Sequence, residues 1–141
     1  MLDNVTEITY EQLIERFKFL VDKYGHFKIH LNADNHYNPK PVLIKNCFDF
    51  PNEENNVLCY TTPRPYERCS TNDLELELNI LKRLLEVDGQ YLEQKVTIVD
   101  GASRFSVCGV YVDEANEFAT LLNGYYDGKP VNWSHFKDNI Y

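Results

Sequence analysis

Residues 9–31, TYEQLIERFKFLVDKYGHFKIHL, change hydrophobic period at Gly25. Before the glycine, Leu13, Ile14, Phe17, Leu20, Val21 and Tyr24 recur at spacings of three and four, the stripe of an amphipathic helix of about four turns. Thr9 stands where an N-cap belongs, with Gln12 three residues on to complete a capping box, and Gly25 takes the place of a left-handed C-cap. Beyond it Phe27, Ile29 and Leu31 alternate with Lys28, His30 and Asn32, as in a half-buried strand. A helix feeding a strand within 23 residues is the unit from which the fold is built.

Downstream, residues 32–41 (NADNHYNPKP) are turn chemistry, and Val42 to Phe50 reads as a strand with an irregularity at Lys45-Asn46. PNEENN, residues 51–56, is a polar turn before a strand from Val57 to Thr61, so the first unit is α-β-β-β. TPRPYERCST, residues 62–71, carries two prolines and no apolar period, which makes it the connector. The pattern then restarts. Asn72 can cap a helix with Glu75 at its third position, and Leu74, Leu78, Leu81, Leu84 and Leu85 form the stripe up to Gly89. Val96–Val99 and Phe105–Val112 follow as strands around a turn at Asp100-Gly101.

Laying Tyr24-Gly25 over Asp88-Gly89 superposes the two apolar stripes, and Lys28–Leu31 then falls on Lys95–Ile98 after a three-residue insertion. The fold class expected is α+β: a tandem duplication of an α-β-β(-β) unit, with antiparallel sheet or sheets covered by the two amphipathic helices. The first unit is 1–62, the connector 63–71, the second unit 72–124 and an aromatic C-terminal segment 125–141, all within one compact domain. Residues 114–123 read two ways. The duplication predicts a polar turn and then a strand from Glu117 to Leu122. Local propensity offers a helix capped by Asp113, with Ala115, Phe118, Ala119 and Leu122 on one face.

The 141 residues include 22 Asp+Glu against 14 Lys+Arg, a formal net charge of -8. Such a chain repels phosphate backbones and has no Lys/Arg cluster dense enough for nucleic acid, so direct DNA or RNA binding is not expected. A more basic protein is the better electrostatic partner. Apolar runs are far shorter than the ~20 residues that cross a bilayer, and MLDNVTEITY is no signal segment, so a cytoplasmic protein is expected. With ten Tyr, eight Phe and one Trp the chain is not a disordered linker.

Chemistry-bearing motifs are missing. Neither phosphate-binding glycine pattern occurs, nor G-x-S-x-G or H-E-x-x-H. The cysteines at 47, 59, 69 and 108 are spaced 12, 10 and 39 apart, unlike a redox pair or zinc ribbon; Cys47 and Cys59 fall near the facing ends of a hairpin. His30, Asp34 and His36 are the one cluster with metal-ligand character, on a spacing that is not diagnostic. Glu53-Glu54, Glu75 with Glu77, and Asp113-Glu114 with Glu117 each read as turn or solvent-face carboxylates. Arg64, Tyr66 and Arg68 read as an exposed connector. No catalytic residue, metal or cofactor is therefore assigned.

What is left is a surface. Asp49, Glu53 and Glu54 at one hairpin tip, and Asp113, Glu114 and Glu117 at its counterpart, would make two acidic prominences related by the repeat, able to imitate spaced phosphates. Tyr125, Tyr126 and Trp133 supply the aromatic anchors that dominate interfaces. T-Y-E-Q-L-I-E-R-F at residues 9–17, followed by a glycine, a strand and a hairpin ending P-N-E-E-N-N-V-L, resembles small proteins of phages and other mobile elements. Among acidic, tyrosine-rich proteins of that look are anti-CRISPR inhibitors and the immunity proteins of nuclease toxins. The resemblance implies a protein that works by binding another protein; with the acidic surface, the reading is a non-catalytic inhibitor of a basic nucleic-acid-processing protein such as a nuclease, with which a homodimer is compatible. The alternative is a small-molecule-binding module with a pocket between the halves, lined by tyrosines and His30. An enzyme built on Asp34, His36 and a second-half carboxylate is the third reading.

Overall fold

The computed structural model describes residues 7–30, 40–45, 56–61, 72–87, 89–100, 103–123, 125–126, 129–130 and 139–141. It has mixed α and β content. Helix α1 spans Tyr10–Tyr24 and opens with the predicted capping box: Thr9 accepts from the Gln12 amide, and the Gln12 side chain accepts from the Thr9 amide at 2.8 Å. Of the stripe read from the sequence, Leu13, Ile14, Phe17, Leu20 and Tyr24 are buried and Val21 is half-buried; Tyr10 joins them inside. Gly25 is not left-handed; its φ of -55° and ψ of -29° continue the helical turn. A side chain is excluded there because a Cβ would lie 2.6 Å from the Val21 carbonyl oxygen.

Helix α2 spans Leu74–Val87. Its cap is Asp73 rather than Asn72: Asp73 Oδ1 accepts from the Leu76 amide at 2.8 Å, the N3 bond that defines a cap. Asn72 instead turns its amide inward to Glu77. A 3₁₀ turn, Gly89–Glu93, follows the helix and packs against both helices.

Among the described residues there are eight strands: β1 Lys28–His30, β2 Lys40–Lys45, β3 Asn56–Thr61, β4 Thr97–Asp100, β5 Ser103–Asp113, β6 Phe118–Asn123, β7 Tyr125–Tyr126 and β8 Lys129–Pro130. The last two form a small hairpin; the others make one sheet in the order β1-β6-β5-β4-β3-β2. The sheet is mixed. β2-β3, β4-β5 and β5-β6 are antiparallel, but β1 runs parallel to β6 and β3 parallel to β4. The wholly antiparallel expectation fails because α2 lies between β3 and β4, and such a crossover returns the chain in the same direction. β1 also stands at the opposite edge from β2 and β3, so residues 28–61 do not form one three-stranded patch.

Residues 114–117 turn and 118–123 are strand, as the duplication predicted and local helix propensity did not. Glu117, with φ 56°, is left-handed and stops any helix at that point. Pairing with β5 then decides the outcome, because it buries Ala119 and Leu121 in the core beside Ile29 and Val112. That core is one cluster drawing on both helices, β1, the Tyr60 side chain of β3, and β4 to β6. At about 25 cal/mol per Å² of apolar surface removed from water, each large side chain in it contributes about 2 kcal/mol.

Ile8, ahead of α1, and Tyr141 both dock on β5. Ile8 bonds to Val107 and Val96, and Tyr141 exchanges two 2.9 Å backbone bonds with Val110. Gly109 permits the second docking, since a Cβ there would meet the Tyr141 carbonyl oxygen at 2.8 Å. The ring of Tyr141 lies 5.8 Å from that of Phe19, so this residue packs against α1.

Candidate functional site

The turn between β5 and β6 sits beside the C-terminal end of α1, and the two are tied by side chains. Asp113 holds the turn itself: its carboxylate accepts from the Asn116 amide at 3.0 Å and from Asn116 Nδ2 at 2.9 Å. Tyr24 donates its hydroxyl to Glu114, and Lys23 Nζ stands 3.5 Å from the same carboxylate. His26 Nε2 is 3.8 Å from Glu117. Lys23 also lies 5.1 Å from the Tyr24 ring centroid. The bond from Tyr24, with the Lys23 charge behind it, holds the Glu114 carboxyl below the usual range, and the same bond pushes the Tyr24 hydroxyl up. The Glu114 and Glu117 side chains keep 59% and 68% exposure; the buried Tyr24 anchors Glu114, whereas Lys23 and His26 are themselves exposed.

Of the nine residues read from the sequence as partner-binding, the structure brings Asp113, Glu114 and Glu117 together in this turn. Asp49, Glu53, Glu54 and Trp133 lie outside the described residues. For Tyr125 and Tyr126 only the backbone is described, in β7. Asp34, His36, the Arg64–Arg68 connector and the Cys47 partner proposed for Cys59 also fall outside. Cys108 is a free, half-buried thiol that burial pushes up to about 11. Such a thiol is unreactive at neutral pH.

One residue corrects the sequence reading. Glu77 is not on a solvent face; it is fully buried, in contrast to its exposed neighbour Glu75. Its Oε1 accepts from the Tyr60 hydroxyl at 3.1 Å and its Oε2 from Asn72 Nδ2 at 3.1 Å, with the Tyr10 ring 6.5 Å from that of Tyr60. Burial raises the Glu77 carboxyl above the normal carboxylate range, against the lowering effect of Asn72 and Tyr60. Burial likewise pushes the Tyr60 hydroxyl well up. The signal was available, since position 77 falls on the 74-78-81 stripe. Its charge argued for the surface and its position for the core.

A second group sits near the β1 edge. His30, Thr120 and Tyr111 are register partners across β1, β6 and β5, and the Phe118 ring makes edge contacts with His30 at 5.4 Å and Tyr111 at 6.5 Å. The Thr120 hydroxyl is buried without a hydrogen-bond partner. Between the halves, a groove of about 350 Å³ is bordered by Glu11, Glu15, Lys18, Lys82 and Glu86 around Ile14 and Leu92. Neither tyrosine nor His30 lines this groove. Among the described residues no three His, Cys, Asp or Glu side chains converge as metal ligands, and no helix is long and apolar enough to cross a membrane. No protein-family model, curated protein or solved structure matches the chain.

Proposed function

We propose that this chain is a non-catalytic binding protein whose acidic β5-β6 turn docks on a more basic protein, in the manner of an inhibitor. The observation that carries the reading is the pair Glu114 and Glu117. Both are more than half exposed; Glu114 is held to α1 by Tyr24 and Lys23, and Glu117 lies 3.8 Å from His26, just beyond that helix. A carboxylate pair positioned in advance loses less entropy on docking than one on a free loop, and its charge steers encounter with a basic surface. A net charge of -8 acts in the same direction. A nuclease or other nucleic-acid-processing protein of the cytoplasm is the partner class proposed, and an anti-defence or toxin-immunity inhibitor the specific form. The same reading takes the two α-β halves as copies of one unit, rearranged so that β1 lies beside β6.

The test is capture of partners from a bacterial lysate on the immobilised chain, at low salt and at about 0.5 M salt, where exposed charge attraction is largely screened. Basic nucleic-acid-processing proteins are expected at low salt, released at high salt and lost on an E114Q/E117Q variant with an unchanged circular dichroism spectrum. Retention indifferent to salt and to both substitutions refutes the reading.

A further inference from the structure

β1 is the outermost strand on its side of the sheet, and the segment leading into α2 lies along its outer edge. Ile29 donates its amide to the Asn72 carbonyl at 2.9 Å, Leu74 donates to the Phe27 carbonyl at 2.9 Å, and Lys28 and Asp73 form an antiparallel bridge. Asn72–Leu74 is thus a strap over backbone that would otherwise be an open edge. One turn into α2, Glu77 reaches back to hold that strap through Asn72 Nδ2 while its other oxygen takes the Tyr60 hydroxyl from β3.

The carboxylate has no access to water, and the groups facing it are neutral: Asn72 on the strap, Tyr60 on β3 and, behind Tyr60, Tyr10 on α1. Its own helix adds Asp73 and Glu75, which carry the same sign of charge. Two neutral donors do not replace the hydration of an ion, and among the described residues no cation stands against it. Hydrating the charge means lifting the strap and the first turn of α2, which takes Leu74 out of the core but leaves the helix stripe from Leu78 onward in place.

We propose that Asn72–Leu74 is a removable cover over the β1 edge, closed over a protonated Glu77 and opened by its ionisation. Lifting the cover frees the Ile29 amide and the Phe27 carbonyl, the backbone pair that Asn72 and Leu74 satisfy in the closed form. The device is separate from the acidic turn and does not depend on it. The direction follows from linkage. A carboxyl raised above its free value in the closed form favours closure fully below the free glutamate value, and that contribution is lost as pH rises through the raised value.

The test is native-state hydrogen exchange by NMR on the full chain from about pH 4 to 8, with rates corrected for intrinsic exchange. Protection at Ile29 and Leu74 should fall by up to about tenfold per pH unit between the free and raised Glu77 values and then level off. The Leu13 amide within α1 should keep the higher protection. In E77Q the Ile29 and Leu74 protection should be flat with pH. Y60F keeps the carboxyl but removes a donor, so it should carry the fall to higher pH. Flat protection in the native chain, the same fall in E77Q, or, should E77Q not fold, an unmoved profile in Y60F overturns the proposal.

Discussion

Replacing Tyr60 with Phe should have opposite effects depending on the residue at position 77. In the native chain the hydroxyl donates to Glu77 Oε1 at 3.1 Å, and both residues are fully excluded from solvent. Removing the donor leaves a buried carboxylate oxygen with nothing to accept from, which costs about 2 kcal/mol. In a Glu77→Leu background it is the hydroxyl that has lost its partner, so Tyr60→Phe should stabilise by about 1 kcal/mol. The coupling between the positions is then about 3 kcal/mol, well above the scatter of additive pairs. Urea unfolding of the four proteins at neutral pH, followed by circular dichroism, measures it. Glu77→Leu alone exchanges the burial penalty of the carboxyl for a Tyr60 hydroxyl and an Asn72 amide left without their acceptor, so its effect there should be small. It should also remove part of the decline in stability as pH rises through the raised Glu77 value, where the native chain loses the contribution of the protonated group. An equal effect of Tyr60→Phe in the two backgrounds would show that the hydroxyl and the carboxylate are not energetically joined.

Two further outcomes rest on single contacts. Thr9→Ala removes the acceptor for the Gln12 amide at the start of α1 and should lower unfolding stability by about 1 kcal/mol, read from the urea midpoint at constant slope. Thr120→Val exchanges a buried hydroxyl without a partner for a methyl of nearly the same shape, and should raise the stability by about 1 kcal/mol; a loss of that size would mean that the hydroxyl is bonded in solution.

How far the fold was legible depends on the range of the interaction that decided each part. The cap at Thr9 and the buried stripe of α1 are local, and the residues that encode them lie within one or two turns of each other. Gly25 marked the right place for the wrong reason: a close approach to Val21, rather than a positive φ, excludes a side chain. The cap of α2 was misplaced by one residue because Asn72 and Asp73 are equally good caps in isolation. The choice between them was made by Glu77, five residues on, which takes the Asn72 amide for itself. Strand order is further from reach. Nothing in Lys28–His30 says that its neighbour is Phe118–Thr120, ninety residues later, rather than β2. The helical alternative for 114–123 lost to pairing with β5, across a turn that holds Glu117 left-handed.

The candidate sites divide along the same line. The acidic turn was legible as composition, but its ties to α1 were not, because Tyr24 and Glu114 are ninety residues apart in sequence. Those ties change what the carboxylates are. Glu114 is held below its ordinary range by Tyr24 and Lys23, so it stays charged at pH values where a free glutamate would begin to take up a proton. Glu77, enclosed between α2 and β3, is shifted the opposite way by burial. A fall in pH therefore neutralises the buried carboxylate first and the exposed one last. Acidification closes the strap over β1 while the β5-β6 turn still presents its charge, and the two surfaces answer to pH separately.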